Sequence, residues 1–307
     1  MLPGHRPAWG FWLAGVLIAV FLAQSFLASA IKSPVFDETG DIAAGLSYVQ
    51  SGEIRANLQH PPLLKEMAGA ALWLAGVRLP ASPQVEQMLV GGGERVVGAQ
   101  LIAANGPDRT MFWARLPFLL LAAALGVLLY VWGRQLLGEV AALGALFLYT
   151  LDPVILGHGY LATMDVGLAA FTVLFLFALW HYLERPDTRR LVCCGLAMGL
   201  MLSTKFSALF LLPVAAVLMF AGEDRGPRAD GPKTPRGYGP RTLAFVLMVA
   251  LATLVIQAVY LSPGGLFLYV TGIERVNGDA ARAQAGWLRT PTEIIGHSMY
   301  VYRIKGK

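Results

Sequence analysis

Charge is what this sequence has least of. Asp, Glu, Lys and Arg together supply 14% of 307 residues, where a soluble domain carries about 25%. Hydrophobic residues make up 56%. A water-soluble globule is excluded. Cysteine is nearly absent, with Cys193 and Cys194 side by side in an apolar run. Two adjacent thiols give neither a disulfide framework nor metal-ligand spacing, so they read as packing residues in the lipid phase. Repeats of about 20 to 50 residues and inverted hydropathy symmetry are missing too, which weakens a secondary-transporter reading. The formal net charge of +5 does not point to nucleic acid, because basic residues collect in cytoplasmic loops for reasons of topology.

Long apolar runs are what is present. A hydrocarbon core of about 30 Å needs roughly 20 helical residues. Runs of that order are Trp9–Ile31, 111–132, 140–156, 166–183 and 243–261. Ala28-Ser29-Ala30 resembles a signal-peptidase site, but the first run is longer than the roughly 7 to 15 residues of a signal's apolar region. It is expected to remain as the first span. Residues 191–221 carry one charge, Lys205; as one helix they would be about 46 Å long, so two short spans joined at 203–207 are expected.

Charge parity supports that division. With seven spans and the N-terminus inside, cytoplasmic segments hold Arg6, Arg134, Arg185, Arg189, Arg190, Arg225, Arg228, Lys233, Arg236 and Arg241, while the short loops opposite hold only Lys205. The positive-inside rule expects this asymmetry. The fold expected is an all-α integral membrane protein: seven transmembrane helices, a long extracytoplasmic first loop (32–110) carrying interfacial helices, and a cytoplasmic linker (222–241) with nine Gly or Pro in twenty residues.

A loop of that length is expected to be functional. Ile42, Gly45, Leu46 and Val49 recur at helical spacing behind the acids Asp37, Glu38 and Asp41, as in an interfacial helix. His60-Pro61-Pro62 precedes a second amphipathic stretch, 63–79. A lysine inside an apolar segment costs about 2.5 to 3.5 kcal/mol at a helix centre, so Lys205 needs a partner or a task. The parity count then places Asp37, Glu38, His60, Lys65, Asp165 and Lys205 at one membrane face. Read blandly, the acids cap a helix, His60 sits in a loop and the lysines are interfacial anchors. Gathered together, they suit an anionic substrate held in the membrane.

Phe36-Asp37-Glu38 with Gly40-Asp41-Ile42-Ala43-Ala44-Gly45, then His60-Pro61-Pro62-Leu63, Ala114-Arg115-Leu116-Pro117, Thr163-Met164-Asp165, and Gly195 through Gly199 to Thr204-Lys205 occur in the order found in protein O-mannosyltransferases and bacterial aminoarabinose transferases. Over roughly residues 10–262 the chain resembles the C-type glycosyltransferase superfamily, family 39 in particular. That resemblance implies a seven-span module (1–262) that takes a polyprenyl-phosphate-linked sugar and transfers it, with inversion, to a hydroxyl of an acceptor protein, lipid or glycan. The site would face the periplasm or exterior of a bacterial inner membrane. It further implies Asp37 as the catalytic base, with its neighbour Glu38 and the second acidic position, Asp165, completing the catalytic set by ordering the acceptor or the loop around it, and His60, Lys65, Arg115 and Lys205 as substrate-binding residues. Some relatives hold a metal through an acid where this chain has Gln59, which leaves a divalent metal cofactor open. Residues 263–307 read as an extracytoplasmic tail, where relatives continue with further spans. The competing classes are a transporter, which would place its charges near the midplane, and a catalytically silent membrane subunit of the same family.

Overall fold

The computed structural model describes residues 9–221, 238–260, 269, 293–295 and 299–301. The chain order is α1 (Trp9–Ile31), α2 (Phe36–Ser51), α3 (Leu63–Leu74), α4 (Pro83–Val90), α5 (Glu94–Asn105), α6 (Pro107–Leu137), α7 (Glu139–Leu151), α8 (Pro153–His158), α9 (Met164–Glu184), α10 (Thr188–Leu202), a 3-10 turn (Phe206–Phe210), α11 (Leu211–Phe220) and α12 (Tyr238–Val259). A short antiparallel hairpin pairs Glu293–Ile295 with Met299–Val301. The rest of the linker and of the tail expected from the sequence lies outside the described residues.

Four helices among the described residues are long and apolar enough to cross a bilayer: Trp9–Ile31, Pro107–Leu137, Met164–Glu184 and Gly239–Val259. The chain is an integral membrane protein. The other three expected segments are helical but short. The 191–221 region divides as its length required, α10 ending at Leu202 and α11 starting at Leu211. The expected span 140–156 stops at Leu151 instead. A residue before proline avoids the α region; Asp152 is extended there and its carboxylate caps α8, accepting from the amides of Val154 (2.8 Å) and Ile155 (2.9 Å).

Small residues set the closest crossings. A Cβ on Gly199 would come within 2.5 Å of Val255 and one on Gly195 within 2.7 Å of Leu251, so the small face of α10 seats α12 as small-residue stripes do in membrane helix pairs. The segment between the first two spans folds back as α2 to α5. Here the expectation of interfacial helices is corrected for α2. Seven consecutive residues, Gly40 to Leu46, are buried, so no face of that stretch is left for lipid. The cause is tight packing on two sides. A Cβ on Gly45 would stand 1.8 Å from the carbonyl oxygen of Lys65 on α3, and one on Gly98 of α5 would stand 1.9 Å from that of Thr39. Among the described residues of these four helices, the exposed large apolar side chains are Phe36 at the start of α2, Trp73 and Leu74 at the end of α3, Val90 at the end of α4 and Val96 on α5.

Candidate active site

At the end of the bundle where α1 and α10 finish and α9 begins, a cleft of about 100 Å³ is lined by Asp37, Asp41, Asn57, Gln59, His60, Arg95, Thr163, Met164, Asp165 and Lys205. Its chemistry follows from which side of α2 each acid occupies. Asp37 opens the helix with a side chain 68% exposed, and its carboxylate lies 3.7 Å from the Arg95 guanidinium. Glu38, the next residue, points the opposite way and is fully buried.

Glu38 and Arg115 form a bidentate pair, Nε to Oε1 at 2.8 Å and Nη2 to Oε2 at 2.7 Å. The remaining donors of Arg115 go to the carbonyls of Ser29 (2.8 Å), Lys32 (2.9 Å) and Ser33 (3.0 Å). Glu38 also accepts from the amides of Val35 (2.9 Å) and Ala162 (3.0 Å). One ion pair thus joins the end of α1, the start of α2, α6 and the turn that delivers Asp165. Glu38, expected to be catalytic, and Arg115, expected to bind substrate, are at 0% and 1% exposure, and neither lines the cleft. They fix the distance between its walls.

Lys65, expected to bind substrate, does not line the cleft either. Its side chain is fully buried and Nζ donates to the carbonyls of Asn57 and of His60, the latter at 3.1 Å. His60 does line the cleft, but not as a cation. Burial, with Lys65 and Lys205 nearby, pushes its pKa down to about 4, so at neutral pH it is an uncharged imidazole. Its Nδ1 is buried without a partner.

Positive charge in the cleft comes from Lys205 and from Arg95, which the sequence did not single out. Lys205 Nζ lies 2.8 Å from Asp165 Oδ1, with side-chain exposures of 28% and 66%. A pair this exposed is worth about 0 to 1 kcal/mol, so an arriving phosphate can take the ammonium at little cost. Arg95 stacks over the Phe36 ring at 4.4 Å and its buried Nε has no partner. Nothing near Arg95 in the sequence marks it; the packing of α5 on α2 brings it in. Asp41 is the second cleft residue that the sequence did not assign to the site. It faces the cleft at 6% exposure, and burial raises its carboxyl to about 6.

Among the described residues no group of three or more His, Cys, Asp or Glu is placed to hold a metal. Asp165 faces Lys205 at 2.8 Å and Asp41 accepts from the Asn57 amide at 2.9 Å. The donor set does not fit a resident divalent ion, and no step below runs through one.

Residues 107–255, from α6 into α12, match the family model described as dolichyl-phosphate-mannose-protein mannosyltransferase. The chain superposes, with a TM-score of 0.56 and 13% identity, on the archaeal oligosaccharyltransferase AglB from Archaeoglobus fulgidus, solved in complex with an inhibitory peptide and a dolichol-phosphate. This chain has the C-type glycosyltransferase fold. The match covers 92% of this chain and 34% of the archaeal one, so it spans about a third of that protein's length. None of the curated proteins matches the sequence significantly. In a C-type glycosyltransferase fold an exposed acid beside a cationic cleft at one end of the bundle is the arrangement to be explained.

Proposed function

We propose that the chain is a membrane glycosyltransferase that moves a sugar from a polyprenyl-phosphate donor to a hydroxyl-bearing acceptor, protein, lipid or glycan, on the extracytoplasmic face. The observation that carries this reading is the juxtaposition in one cleft of an exposed carboxylate, Asp37, with the cations Lys205 and Arg95. In the step, Asp37 takes the proton of the acceptor hydroxyl as its oxygen bonds to the anomeric carbon. The bond from that carbon to the phosphate oxygen breaks with inversion, and the lipid phosphate leaves with the electron pair. A positioned base contributes about 10² to 10⁴ in rate. Lys205 and Arg95 stabilise the charge developing on the leaving phosphate. The neutral His60 is suited to donate or accept a hydrogen bond without repelling either cation.

The donor's tail stays in lipid, so its reactive carbon must reach the bilayer face, where the ends of α1, α9 and α10 gather. Mass spectrometry of lipids that copurify with the protein is expected to find a polyprenyl-phosphate sugar; repeated purification with phospholipid alone would count against the donor. Lys205→Met removes the charge at similar bulk, so it should weaken dolichyl phosphate binding at least tenfold with the protein still inserted. Unchanged affinity would return Lys205 to an interfacial anchor.

The orientation rests on the basic-residue asymmetry over seven spans. Single cysteines at Ser82, in the N-cap of α4, and at Thr234, in the linker, are expected to react with an impermeant thiol reagent from opposite sides of the membrane. Labelling of both from one side contradicts the seven-span reading.

A further inference from the structure

Beneath the cleft lies a second layer that the transfer step does not use. The turn from Asn57 to His60 is held from below by two donors that see no solvent, Lys65 and Tyr48. Tyr48 OH donates to the carbonyl of Ala56, and Lys65 Nζ donates to those of Asn57 and His60. Asn57 sits in the left-handed region at φ 42°, which Asn tolerates better than most residues. That conformation lets its carbonyl meet Lys65 while its side-chain amide donates to Asp41 Oδ1 at 2.9 Å. A wholly buried ammonium with only carbonyls for partners would be costly; the acids whose charge offsets it are Asp41 and Glu94.

Asp41 in turn faces Lys65 from α3, Asn57 from the turn, Arg95 from α5 and Asp37 from its own helix. Burial and Asp37 favour its protonated form, while Lys65, Arg95 and the Asn57 amide favour the carboxylate. Only Oδ1 is engaged by Asn57, and the carboxyl lines the cleft beside Asp37. A carboxylate with an oxygen turned to a small polar cleft is an acceptor for hydroxyl groups, as a sugar ring supplies.

We infer that Asp41 is a sugar-hydroxyl-binding carboxylate at the floor of the cleft, and that Lys65 is its positioning residue, acting through Asn57 and the turn to His60. The first half rests on the transferase reading; the second does not. Dicyclohexylcarbodiimide modifies buried carboxyls in their protonated form, so labelling of the Asp41 peptide against pH reads its charge state in the full-length protein in liposomes. The wild-type midpoint is expected near pH 6. Lys65→Met should move it up by about one unit, a tenfold change in proton affinity. Asn57→Gly keeps the left-handed turn and removes only the amide donor, so it should fold normally and move the midpoint up by less. Unmoved midpoints in both variants overturn the positioning role. Dolichyl phosphate mannose should protect Asp41 from the reagent at concentrations where dolichyl phosphate does not. Equal protection by the two lipids overturns hydroxyl binding; no protection by either overturns hydroxyl binding and the donor reading together, while the pH shift still decides the role of Lys65.

Discussion

Asp37→Asn is expected to lower kcat by about 10² or more while leaving donor affinity within about twofold. The side chain is 68% exposed and its nearest cation, Arg95, is 3.7 Å away, so little of the fold depends on it. Asn keeps the shape and much of the hydrogen bonding but takes no proton at neutral pH. The competing role makes a different forecast: an acid in the first turn of α2 only complements the helix dipole, so its loss would cost at most about 1 kcal/mol of stability and leave the transfer rate unchanged. Single-turnover transfer separates the two. A rate close to wild type would give Asp37 back to the helix and move the search for a base to Asp165, which must first be released by Lys205.

The second large effect falls on stability. Breaking a buried ion pair by removing one partner costs about 3 to 5 kcal/mol, because the other charge is left uncompensated. Glu38→Gln is expected to be destabilised on that scale in mixed-micelle unfolding, and Arg115→Met more severely, since three backbone carbonyls lose their donor as well. A change under about 1 kcal/mol in both would contradict the account in which this pair sets the spacing of the cleft walls. The two acids of Asp37-Glu38 are thereby told apart. The first should fail in catalysis with the fold intact, and the second should fail in folding.

Much of the architecture was legible in apolar run length. The seven expected segments are all helical, and the 31-residue run 191–221 is divided because one helix of that length would overshoot a bilayer. Where the reading failed locally, the cause was tertiary. The periodicity of α2 suggested one buried face, but Gly45 and Gly98 let α3 and α5 close on it from two sides. At the site, Asp37, His60, Asp165 and Lys205 were marked by motif and do meet in one cleft. The direction each side chain takes was not legible. Glu38 and Arg115 lie 77 residues apart, and no spacing announces their pairing. Nor does a sequence show that Lys65 is sealed from solvent, that burial strips His60 of its charge, or that α5 carries Arg95 to Asp37.

The central claim is that the cleft between Asp37 and Lys205 transfers sugar from a lipid phosphate. The most direct measurement supplies radiolabelled dolichyl phosphate mannose to the purified protein in liposomes, together with lipid and protein fractions as acceptors. Label appearing in an acceptor with wild type, and at one hundredth of that rate or less with Asp37→Asn, is the predicted result. Label that stays on the donor with wild type, while the lipid still binds and Lys205→Met releases it, would contradict the account and make the cleft a binding site without chemistry.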